Sequence, residues 1–211
     1  MSLFLCFNFS CNEAQVKTNS NVSMVKSPEI QNNKLKDKAA KLNELYDKKD
    51  CKEFVNAFPN NYQEFNELYG YEDEKGGNIL YSKTEHINYF FSCSEVVGIE
   101  KLNKIIEVGI DGKWDADNIG EFQDSTYAVV KKYPVETKKI LDNLSDEKAA
   151  SFWYFLFDGP HPSDKENVAD FESLSKLLGE KSKQAKLLSE QFQKLLKEEK
   201  EDKDSAVIGN K

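Results

Sequence analysis

His161 is held between Pro160 and Pro162, three residues after Asp158. The two prolines fix the backbone on both sides and limit the entropy lost in presenting the ring. A rigid imidazole with carboxylates close by is what a general base requires. His161 and Asp158 are therefore the catalytic candidates. The competing reading is structural: Asp158-Gly159-Pro160 ends a helix, and Asp158 bonds the backbone of the turn. The turn reading is preferred, because the sequence names no nucleophile to stand beside His161. The other histidine, His86, lies beside Ile87 and near Tyr89 and Phe90 on an amphipathic stretch, where a lone imidazole reads as a packed or surface side chain.

Asp111, Asp115 and Asp117, in IDGKWDADNIGEF, invite a calcium reading. With Asp115 as first ligand, Asp117 takes the third place and Gly120 the sixth. Ile119 and Thr126 then stand where an acceptor and a bidentate Glu belong. The pattern fails at both, so a helix cap at Asp115 or Asp117 with Trp114 packed behind is the better expectation. Ser145-x-x-Lys148 has the spacing of a nucleophile pair, but Ser before two acids is first a helix cap. No phosphate loop, nucleophile elbow or dinucleotide fingerprint occurs, which leaves no cofactor to expect.

Four cysteines and two histidines, without a C-x-x-C pair, give no zinc pattern. Cys51 and Cys93 could close a disulfide around a loop of roughly forty residues. Two buried thiols acting as small hydrophobes is the alternative, and it is slightly preferred because both lie near apolar helix faces.

The 211 residues carry 29 basic and 37 acidic side chains, a formal charge of −8. An acidic surface repels phosphate backbones and argues against nucleic acid. It suits a basic protein partner, whose opposite field speeds encounter. Two loops concentrate carboxylates beside aromatics: Tyr71, Glu72, Asp73 and Glu74 in one, and Asp111, Trp114, Asp115 and Asp117 in the other. These are the expected contact residues.

The elements that must position these groups are helical. From Lys34, Leu35, Ala39, Leu42 and Leu45 share one face. Asp50 and Asn61 are N-caps for the next two helices, and Gly70 is a stop. Ser82 and Glu85 suggest a capping box for a helix over 82–93. A further helix is expected over 95–110, using Val96 and Val97, and another from Asp117 to Lys132. Pro134 opens the next. Ser145 caps the most apolar stretch of the chain, Phe152 to Phe157. After Pro162, Leu174, Leu178, Ala185, Leu188, Phe192 and Leu195 form a stripe interrupted at Lys181, expected to dock on the aromatic helix. The sum is an all-α single domain of about nine helices in an orthogonal or bundle-like array.

Residues 1–11, MSLFLCFNFSC, resemble the end of a bacterial lipoprotein signal peptide, although no Lys or Arg precedes the apolar run. That resemblance implies lipidation at Cys11, with residues 12–33 as a flexible tether. The helical domain is then expected over 34–204, with a loose tail at 205–211. GKWDAD, SFWYFLFDGPHP and FPNNYQEFNELYGY give residues 50–162 a likeness to small secreted or lipoprotein-type bacterial proteins. Some helical proteins of that size act as immunity proteins against toxins. The resemblance implies periplasmic or outer-membrane placement, with the cytoplasm as the alternative, and transfers no catalytic residue. The leading expectation is a non-enzymatic binding protein that neutralises a basic toxin. A hydrolase using His161 and a structural envelope lipoprotein are the alternatives.

Overall fold

A computed structural model describes the backbone of residues 28–94 and 98–209, and side chains over 33–94 and 98–205. Cys11, most of the expected tether, and Val96 and Val97 lie outside the described residues. Ten helices occur among those described, with one short hairpin. They are α1 (Pro28–Asp47), α2 (Cys51–Ala57), α3 (Tyr62–Tyr69), β1 (Tyr71–Glu72), β2 (Gly76–Gly77), α4 (Thr84–Ser92), α5 (Ile99–Gly109), α6 (Asn118–Lys132), α7 (Pro134–Asp142), α8 (Asp146–Phe157), α9 (Lys165–Leu178) and α10 (Lys183–Gly209). The all-α reading holds.

Local chemistry sets most boundaries. Asp50 and Asn61 accept from the N–H groups of Glu53 and Glu64 at 3.2 and 2.8 Å, which satisfies donors that a first helical turn leaves free. Ser145 accepts from Lys148 N–H at 3.4 Å, so the Ser-x-x-Lys pair is used as a cap. Pro134 stands in the first turn of α7.

Four boundaries depart from expectation. α1 starts at Pro28, so residues 28–33, assigned to the tether, are helical. The tail is likewise helical as far as Gly209. α4 begins at Thr84 rather than at Ser82, without a side-chain cap, because Lys83 N–H bonds Leu80 O at 2.9 Å in a preceding turn. The C-terminal stripe is divided between two helices. Gly179 adopts φ +81°, a left-handed conformation that ends α9 at little steric cost, and exposed Lys181 falls in the break.

The helices enclose two connected cores. One joins Leu42, Phe54, Phe58, Phe65, Tyr69, Ile87 and Phe90 from α1–α4 with Phe122 of α6 and Phe155 of α8. The other joins Phe152, Trp153 and Leu156 of α8 with Leu174, Leu178, Leu188, Phe192 and Leu195 of α9 and α10. Thus α8 contributes to both, and α10 lies along it. α5 can approach α8 closely because Gly109 has no side chain. A Cβ there would fall 2.9 Å from Phe152 Cδ2, inside van der Waals contact. Cys51 at the start of α2 and Cys93 just beyond α4 are joined by a disulfide, with Cα atoms 5.5 Å apart.

Candidate functional site

The two acidic loops are neighbours. β1 pairs antiparallel with β2 in the register Tyr71↔Gly77 and Glu72↔Gly76, so the stretch read as an acidic loop is a small hairpin. It places Glu72, Asp73 and Glu74 at its exposed tip. The second segment, 111–117, links α5 to α6. Tyr81 bridges them. Its ring stands 5.4 Å from that of Tyr71, and its hydroxyl donates to Asp117 Oδ2. That bond holds the Tyr81 phenol above its ordinary pKa, since ionisation would set two anions face to face.

Asn118 fixes the base of this arrangement. Its buried amide donates to the carbonyls of Tyr69 and Tyr81 at 2.9 and 2.6 Å and accepts from Thr84 Oγ1 at 2.7 Å. The end of α3, the entry to α4 and the first turn of α6 therefore meet on one side chain.

The 111–117 segment is pinned along its length. Asp111 N–H donates to Ser151 Oγ at 3.1 Å, the Tyr62 hydroxyl donates to Lys113 O at 2.7 Å, and Trp114 N–H donates to Asp158 Oδ2 at 2.8 Å. Asp111 and Asp117 both sit at φ +58°, where non-glycine residues are uncommon and Asp is among the tolerated ones. Asp117 stands at the N-cap position of α6 as expected, but neither its side chain nor that of Asp115 bonds a first-turn N–H group of the helix. Asp115 Oδ1 accepts from Ala116 N–H at 2.8 Å, and Asp117 is engaged by Tyr81.

Trp114 lies near Gly120 and Gly159, where an added Cβ would meet its ring at 3.8 and 3.9 Å, yet keeps part of its ring in solvent. It is 38% exposed, and with Tyr71 and Ile79, 46% and 52% exposed, it gives this acidic face large apolar side chains in contact with solvent. Tyr81 joins the hairpin at Tyr71 to the second segment at Asp117, while Trp114 is tied to the end of α8 through Asp158. Ile79, Tyr81 and Asn118 were not read from the sequence as parts of this face. A turn tyrosine and an asparagine beside a predicted cap carry no periodic signal, and both act through partners more than thirty positions away.

The Asp158–Pro162 turn borders the face. Gln123 donates to Asp158 O at 2.6 Å and to Phe155 O, capping the end of α8. Asp158 is half-buried, and burial pushes its carboxyl above the usual range. Its Oδ2 accepts from Trp114 N–H, a backbone group of the α5–α6 segment and not of its own turn. His161 is exposed, and among the described residues no hydrogen bond joins its imidazole to a carboxylate. It lines a groove of about 630 Å³ with Asp158, Glu198, Glu199, Asp202 and Lys203. Glu199 is held by Ser163 at 3.0 Å and by Lys203, and Glu198 by the Tyr154 hydroxyl at 2.9 Å. Of these carboxylates, Glu199 fastens the turn to α10 through Ser163, and Glu198 ties α10 to α8 through Tyr154. His86 is fully buried, with Nδ1 3.2 Å from the Tyr69 hydroxyl, among the rings of Tyr46 and Phe54.

Comparisons with protein families, with curated proteins and with solved structures found no match.

Proposed function

We propose that this chain is a non-enzymatic binding protein that takes a basic protein partner on the face formed by the β1–β2 hairpin and residues 111–117, and that it neutralises that partner, a toxin. The observation that carries the reading is the exposure of Tyr71, Ile79 and Trp114 among carboxylates on two segments tied together by Tyr81. Aromatic anchors ringed by charge are the composition of protein interfaces: the rings supply buried area, and the charges set encounter rate and partner choice. Pinning at Asp111, Lys113, Trp114 and Asp117 means that little ordering remains to be done on binding, which favours affinity.

Envelope placement is part of the same proposal. The Cys51–Cys93 disulfide supports it, because such bonds persist in oxidising compartments. No described helix is long and apolar enough to cross a membrane, and the proposed attachment is a lipid on Cys11. Palmitate incorporation that is lost in Cys11→Ala is the expected result for an anchored form.

The deciding experiment is capture from envelope extracts at low salt with the full chain. A basic protein should be retained, released by high salt, and lost from a Trp114→Ala/Asp115→Lys variant that folds normally. The captured protein, expressed alone, should arrest growth, and co-expression with this chain should relieve the arrest. Retention that is indifferent to both salt and the double substitution would refute the assigned face.

A further inference from the structure

At the opposite ends of α5 and α6 from the acidic face, the chain reverses its character. A groove of about 450 Å³ opens between the end of α4, the start of α5 and the end of α6. Phe91, Leu102, Ile105 and Val129 form its apolar wall, and Lys101 and Lys132 supply cations. Glu136 is its single carboxylate among the described lining residues. This volume is in the range of small-molecule sites, which join an apolar lining to a few fixed polar groups.

Lys101 is the fixed polar group. It donates to Phe91 O at 2.8 Å and Cys93 O at 2.9 Å, which accounts for two of the three donors of an ammonium. Those carbonyls belong to the end of α4, so the helix orients the cation beside the groove. Burial holds Lys101 down to about 8, which leaves it charged at neutral pH, and among the described residues no carboxylate is bonded to it. Lys132 stands at the rim, 5.2 Å from the centre of the Tyr133 ring. In a chain of charge −8, a cationic apolar groove is a local inversion that solubility does not require.

We propose that this groove binds a free single-chain carboxylate amphiphile, a fatty-acid-like ligand, with its head at Lys101 and Lys132 and its chain along the Phe91–Leu102–Val129 wall. The complementarity is specific in sign. A cationic head would meet two lysines, and an uncharged head would leave Glu136 as the one described carboxylate facing them. The proposal is independent of the toxin-binding face.

The test is titration of the full chain with decanoate below its micellar concentration at neutral pH, followed calorimetrically and by amide chemical shifts. Saturable binding with shifts at Phe91, Leu102 and Val129 is expected. Lys132→Glu should weaken it about tenfold, the loss of one charge-assisted contact. Decanol should bind at least about tenfold more weakly and decyltrimethylammonium not measurably. Lys101→Met also removes two contacts to the end of α4, so the rim variant, which leaves those contacts intact, decides the matter. Three results would each overturn the proposal: absence of saturable decanoate binding, equal binding of the alcohol or the cation, or unchanged affinity in Lys132→Glu. Association with anionic lipid vesicles but not with monomeric decanoate would overturn it as well.

Discussion

Asn118 is buried at the first turn of α6, and both ends of its amide are engaged. Replacing it with Ala strips the buried Tyr69 carbonyl of its donor and leaves the part-buried Tyr81 carbonyl and Thr84 hydroxyl to water. A buried polar group stripped of its partner costs about 1–3 kcal/mol. Asn118→Ala should therefore lose about 2 kcal/mol in urea denaturation. Because Asn118 holds the base of the hairpin, amide exchange across 71–81 should quicken more than exchange in α9 or α10. Equal acceleration everywhere would show only a global loss. Asn118→Asp is not a conservative change either, since a carboxylate has no donor for the two carbonyls.

At the scale of elements, the disulfide and the α5–α8 contact make separate claims. Cys51 and Cys93 are 42 positions apart, and a cross-link closing a loop of that length removes enough freedom from the unfolded chain to stabilise by about 4 kcal/mol. Cys51→Ala/Cys93→Ala, or strong reductant on the wild-type chain, should lower the guanidinium midpoint accordingly, with the two treatments not additive. Gly109→Ala attacks a different joint. Its Cβ would press on fully buried Phe152, and overpacking of this kind costs about 1–3 kcal/mol. The same elements show what the sequence made legible. Leu42 and Leu188 announced their helices because each apolar face repeats locally, and the caps at Asp50, Asn61 and Ser145 lie within three residues of the N–H groups they bind. The break at Gly179 was hidden because the apolar stripe runs on in phase on both sides of it. Strands of two residues, one of them Gly-Gly, are too short to show alternation. The acidic face was legible as two loops, from charge beside aromatics. That they touch depends on Tyr81 and Asp117, 36 positions apart, and the Trp114 backbone is held by Asp158, 44 positions away. Neither is a local property.

Over the whole molecule, the buried titratable groups make stability rise with pH through the acid range and again above about pH 8, until the tyrosines reverse the slope. On the acid side, burial lowers His86 from 6.5 to about 4, and among the described residues its Nε2 has no partner. The unfolded chain binds that proton between pH 6.5 and 4 and the fold resists it, so stability falls as pH drops through this window. His86→Phe should shed part of the slope in melting temperature, and identical slopes in the two proteins would count against the buried neutral imidazole. On the alkaline side, Lys104 repeats what Lys101 does. It donates to Asn56 O and Phe58 O, both at 2.9 Å, at the end of α2, so neighbouring turns of α5 supply cations to the exposed carbonyls of two helices. Desolvation lowers both lysines from 10.5 to about 8. Above about pH 8 the folded chain has released protons that the unfolded chain still holds, and stability rises with pH. Tyr127 and Tyr154 end the rise. Burial holds their hydroxyls above the ordinary value of 10.0, so the unfolded chain ionises first and stability declines beyond that point. Denaturation followed from about pH 7 to 11 should thus pass through a maximum near pH 10, where the unfolded tyrosines begin to ionise. Lys101→Met/Lys104→Met should flatten the ascending limb and leave the descending one, because the lysines and the tyrosines act on different sides of the same maximum.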